Sequence, residues 1–129
     1  MSAFFAFIGE RRSSRAIRMG VTWEDGRLAA KTLHDALNAA GIDPSAQRYL
    51  NLYADTGPLV PNALSLAEAQ ALSAAGVQLV ALGRLVQREL QRAGLPHRSL
   101  VHPAARGAIR KTERYRAHVA AVLVKGGAA

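Results

Sequence analysis

The 129-residue chain has no cysteine, which excludes disulfides, thiolate metal sites, iron-sulfur clusters and a cysteine nucleophile. Acidic residues are scarce as well, with 9 Asp and Glu against 17 Lys and Arg. The formal charge of +8 and a pI near 11.1 favour a polyanionic partner on electrostatic grounds. No apolar run is long enough to span a bilayer. The opening Met1 to Ile8 is apolar but has no basic stretch before it and runs into Gly9-Glu10-Arg11-Arg12, so it is expected to be a buried first strand of a cytoplasmic protein. Of the histidines, His34, His97 and His118 show no metal-ligand spacing and are expected to be surface or satisfied residues, and no metal or other cofactor is implied.

What is present is a repeated exchange of short apolar runs and helical periodicity. Residues 3–8 form a continuous apolar run, as a strand covered on both faces would. Leu28, Ala29, Leu33, Ala36, Leu37 and Ala40 follow helical spacing from Gly26 to the stop at Gly41. A second strand is expected over 48–53, then a turn-rich loop, then a helix through Ala75 opened by a Ser65/Glu68 capping box. Residues 77–82 read as a third strand, 83–93 as a helix, 96–100 as the lead into a fourth strand ending near His102, and 109–124 as a last helix. Glu24 and Asp25 read as a helix N-terminus. Length and alternation predict one α/β domain over residues 1–125, a three-layer α/β/α sandwich with a four-stranded parallel sheet, and a flexible tail over 126–129.

Right-handed crossovers place all strand carboxyl ends on one edge, where open parallel sheets bind ligands. Gly9-Glu10, Asn51, Gly83 and His102 are therefore expected to converge. The ordered set Phe7-Ile8-Gly9-Glu10, Gly20 with Trp23, Gly26-Arg27, Asn51-Leu52, Val80-Ala81-Leu82-Gly83 and His102-Pro103-Ala104-Ala105 resembles the uracil-DNA glycosylase superfamily, closest to its compact Gly-Glu... His-Pro-Ala-Ala branch. It covers nearly the whole chain, without that branch's iron-sulfur cysteines. Where members continue with a small or acidic residue and then Pro, this chain has Arg11-Arg12-Ser13-Ser14-Arg15, which leaves Glu10 as the nearby acid.

The resemblance implies a flipped-base pocket of Gly9, Trp23 and Asn51, with His102 and Glu10 as catalytic residues. The chemistry is consistent with those residue types. A neutral histidine can stabilise the negative charge left on a departing base, an asparagine can read a pyrimidine edge with one donor and one acceptor, and a tryptophan can stack on the ring. Arg11, Arg12, Arg15 and Arg18 in the first loop, with Arg106, Arg110, Lys111, Arg114 and Arg116 after His102, are expected to contact phosphates, whereas Arg84, Arg88 and Arg92 read as a solvated stripe. The expected function is binding of DNA, single-stranded DNA included, with base flipping and hydrolysis of the N-glycosidic bond of uracil or another modified pyrimidine. The alternative is a silent superfamily member that binds nucleic acid or a nucleotide. No membrane partner is expected, and the sequence leaves oligomeric state open.

Overall fold

A computed structural model describes residues 4–125 and shows an α/β fold with a four-stranded, all-parallel sheet in the order β2-β1-β3-β4. The strands are β1 (Phe5–Gly9), β2 (Arg48–Asn51), β3 (Gln78–Leu82) and β4 (Arg98–Leu100). The α-helices among the described residues are α1 (Ser14–Met19), α2 (Ala29–Ala39), α3 (Ala63–Ala74), α4 (Arg84–Arg92) and α5 (Thr112–Val119). The expected tail at 126–129 lies outside the described residues.

The strand sequences explain why the sheet is covered twice. All five residues of β1 are buried, and successive side chains point to opposite faces. Phe5 and Phe7 join Val80, Leu82 and Leu100 against Leu33, Ala36 and Leu37 of α2 and Tyr115 and Val119 of α5. Ala6 and Ile8 join Leu79 and Ala81 against Ala69 of α3 and Val86 and Leu90 of α4. Helices thus pack on both faces, an arrangement compatible with a three-layer sandwich.

Several local expectations are corrected. The segment from Ser13 to Arg18 is not simply a loop, because the Ser13 side chain accepts from Ala16 N–H and starts α1. The Ser65/Glu68 capping box does not form. Asn62 Oδ1 accepts instead from Leu64 and Ser65 N–H and opens α3 three residues earlier, leaving Ser65 inside the first turn. Asp25 accepts from Thr22 N–H and closes a 3₁₀ turn over Trp23–Asp25, so the helix expected from Gly26 begins only at Ala29. The last helix is broken at Lys111, whose extended ψ of 131° separates a 3₁₀ turn at Ala108–Arg110 from α5, and the chain continues past α5 as a π-helical segment over Ala120–Lys125.

Phe7 is fully buried at the centre of the cluster under α2 and α5 and stacks on Tyr49 at 5.6 Å between ring centroids. Phe7→Ala should therefore destabilise the fold by about 3–5 kcal/mol, checked by urea unfolding monitored by circular dichroism.

Candidate functional site

The strand order runs from β1 outward to β2 and then across to β3 on the other side. That reversal opens a crevice beyond the carboxyl end of β1, the ligand position in open α/β sheets. Gly9 is paired with Asn51 at the ends of β1 and β2, and the backbone pairing continues one step as Leu52 and Tyr53 N–H donate to the carbonyls of Gly9 and Glu10. Gly83, at the end of β3, has φ of 97°, a region an L side chain rarely adopts, and a Cβ there would lie 3.6 Å from His102 Cβ and 3.7 Å from Glu10 Oε2. Glu10, Gly83 and His102 therefore meet at one edge. The convergence expected from topology is present.

His102 is held by the chemistry of its own turn. His102 C=O accepts from Ala105 N–H at 2.9 Å, with Pro103 fixing the second position of the turn, and His102 Nδ1 accepts from Ala104 N–H at 3.0 Å. An acceptor nitrogen carries no proton, so the neutral ring bears its hydrogen on Nε2. Burial lowers the His102 pKa below the ordinary histidine value, opposed in part by the charge of Glu10. The turn is anchored from α5, where Tyr115 Oη donates to Val101 C=O at 2.7 Å and His118 Nε2 accepts from Val101 N–H at 2.9 Å. Sequence reasoning missed Tyr115 and His118 as positioning residues. The available signal was a Tyr and a His three residues apart on an otherwise arginine-rich helix.

Trp23 is placed otherwise than as a free stacking floor. Its Nε1–H donates to Asn51 Oδ1 at 2.8 Å, and its ring lies edge-on to His102 with centroids 6.2 Å apart. Gly9 has no side chain because there is no room for one: a Cβ would stand 2.8 Å from Asn51 Oδ1 and 2.8 Å from Trp23 Cζ2. Trp23 and His102 also line a cavity of about 820 Å³ whose other walls include Arg11, Arg12, Arg15, Arg18, Arg27 and Leu28, whereas Gly9, Glu10 and Asn51 do not line it.

The arginines divide into structural and free. Arg12 forms a forked ion pair with Asp55, closest at 2.6 Å, and that hydrogen bond raises the arginine pKa and lowers the aspartate's. Arg11 Nη2 donates to Gly57 C=O at 3.0 Å, leaving its Nε buried without a partner. Both residues thus brace the loop after β2, which removes Arg12 as a ready phosphate ligand. Arg15 and Arg18 on α1 line the cavity. Arg106 and Lys111 lie in the segment after His102 but do not line the cavity, and the side chain of Arg110 lies outside the described residues. On α5, Arg116 is tied to Asp35 of α2 at 2.7 Å.

The remaining histidines divide too. His97 and His118 have backbone partners, as expected of satisfied residues. His34 departs from that expectation: it stacks on Tyr49, and its Nε2 is buried with no hydrogen-bond partner. Among the described residues no cluster of three His, Asp or Glu side chains is placed to hold a metal ion. No helix of the described residues is long and apolar enough to cross a membrane.

No family model matches the chain, and no curated protein matches it.

The position of His102 yields a pH-dependent outcome. A histidine whose folded pKa lies below its unfolded value of about 6.5 binds fewer protons in the native state, so its contribution to stability is present above that value and is lost as pH falls. His118, also lowered by burial, adds in the same direction. Nitrogen-15 NMR should show His102 neutral at pH 7 with the proton on Nε2. Glu10→Gln should lower its pKa further, because the opposing charge is gone, and an unchanged or raised value would contradict the placement of Glu10.

Proposed function

We propose that the protein is a uracil-DNA glycosylase-like enzyme that takes a nucleotide out of the stack and hydrolyses its N-glycosidic bond, the base being uracil or another modified pyrimidine. The observation that carries this reading is the placement of Glu10 and a neutral His102, with its proton on Nε2, at the carboxyl edge of the sheet beside Trp23 and the arginine-lined cavity. The ordered motifs from Gly9-Glu10 to His102-Pro103-Ala104-Ala105, the all-parallel sheet and the basic surface support it together.

In this mechanism the C1′–N bond breaks and its electron pair passes into the base. His102 Nε2–H donates to the base carbonyl oxygen on which that charge collects, a contact strengthened in the transition state. Glu10 supplies a negative charge near the sugar as positive charge develops there, and takes a proton from the water that bonds to C1′. A flipped nucleotide reaches the sheet edge through the cavity of about 820 Å³, where Arg15 and Arg18 neutralise flanking phosphates. Such a protein would act on DNA wherever DNA is present, including the cytoplasm of a cell without a nucleus.

A second reading, nucleic-acid binding without excision, is favoured by one observation. Asn51 Oδ1 is already engaged by Trp23, so the edge reader is not free in this state.

Oligonucleotides carrying uracil, hypoxanthine, thymine mismatches or oxidised pyrimidines, assayed for alkali-labile abasic sites, separate the two. His102→Ala should lower turnover about a hundredfold or more while DNA affinity is nearly unchanged. No cleavage across the panel, with tight binding indifferent to His102→Ala, would leave the binder. Affinity should also fall with salt. Charge reversal at Arg15 and Arg18 should weaken binding more than reversal at Arg88 and Arg92, further along α4 from the site edge, as measured by fluorescence anisotropy.

A further inference from the structure

The Trp23 indole lies directly against the backbone of Gly9, with Cζ2 and Nε1 at 2.8 and 2.9 Å from the position a Cβ would take. Its in-plane N–H is read by Asn51 Oδ1 at 2.8 Å. A flat ring on a terminal strand glycine, with an in-plane N–H on an amide oxygen, is also what a bound pyrimidine imide would present. The indole satisfies only half of Asn51. Indole N–H can only donate, which fixes the amide with Oδ1 toward Trp23 and leaves Nδ2, a donor with no partner among the described residues, on offer to a carbonyl. A ring with N–H and C=O side by side would use both groups.

We propose that Trp23 occupies the base slot as an internal surrogate, and that a ring bearing an adjacent N–H and carbonyl, the imide edge of uracil, displaces it into the adjoining cavity. Trp23 borders both spaces, and the cavity of about 820 Å³ is within the usual size of a small-molecule site, about 300–1,000 Å³. Displacement exchanges the one indole hydrogen bond for two from the imide. The occupied slot stays closed to rings that cannot replace the indole N–H, so Trp23 acts on selectivity as well as access. The inference rests on the assignment of Gly9 and Asn51 to base recognition and deepens the excision reading.

Trp23 is the single tryptophan, so fluorescence excited at the red edge, where the tyrosines do not absorb, reports on it alone. Titration of the whole protein with free uracil should shift the emission, whereas 3-methyluracil, which lacks the imide N–H, should not. By calorimetry, Trp23→Ala should bind uracil at least tenfold more tightly than the wild-type protein, and adding Asn51→Ala should remove the gain. Trp23→Phe keeps an aromatic ring but loses the N–H together with the five-membered ring, and should gain about threefold or more; it carries the test if Trp23→Ala fails to fold by circular dichroism. Uracil affinity equal to or weaker than wild type in the folded variants would overturn the surrogate role and make Trp23 a fixed wall. The abasic-site assay reads the excision proposal separately: His102-dependent cleavage without any affinity gain in the Trp23 variants overturns the surrogate alone, and an affinity gain without cleavage supports the surrogate while overturning hydrolysis.

Discussion

Burial of β1 on both faces and pairing along both edges constrains the rest of the molecule, because a strand enclosed in this way can leave the sheet only at its carboxyl end. Phe5 and Phe7 commit one face to α2 and α5, and Ala6 and Ile8 commit the other to α3 and α4. The residue after Ile8 must therefore be backbone without bulk. Gly9 meets that requirement, and the space its missing side chain leaves is taken by Trp23 and Asn51. Close packing of the core and the geometry of the candidate site are thus consequences of the same five residues.

The excess of arginine is not a uniform coat. Arg12 with Asp55 ties α1's approach to the loop after β2, and Arg116 with Asp35 ties α5 to α2, so these cations serve the fold through pairs that salt screens. Exposed pairs of this kind contribute little to stability individually. Their effect is geometric: they fix where the loop and the last helix stand relative to the cavity, while Arg15 and Arg18 stay open toward it. A polyanion approaching this face meets the free cations first.

His102 shows how one side chain is set both by its own turn and by residues distant in sequence. Its tautomer comes from Ala104 N–H within the same turn, its lowered pKa from burial, and its position from Tyr115 and His118 gripping Val101. Tyr115 is itself buried and its phenol pKa is raised, which keeps the hydroxyl protonated as the donor to Val101 C=O. A histidine kept neutral and oriented in this way needs no reorganisation to donate a hydrogen bond from Nε2.

Much of the fold was legible because apolar periodicity and strand-end glycines are local signals. The chain by itself determined the alternation of strands and helices, the all-parallel sheet and, through the handedness of crossovers, the meeting of Gly9, Glu10, Gly83 and His102 at one edge. It did not reveal α1, which is short and buries no residue, nor the Asn62 cap, which competes with an equally plausible Ser65 box. Tertiary structure alone decided which arginines are spent on carboxylates, that Trp23 is bonded to Asn51 rather than standing free, and that Tyr115 and His118 hold the turn of His102. The reason is physical: period and turn chemistry are written in neighbouring residues, but a side chain's hydrogen-bond partner depends on distances between segments that only the packed sheet brings together.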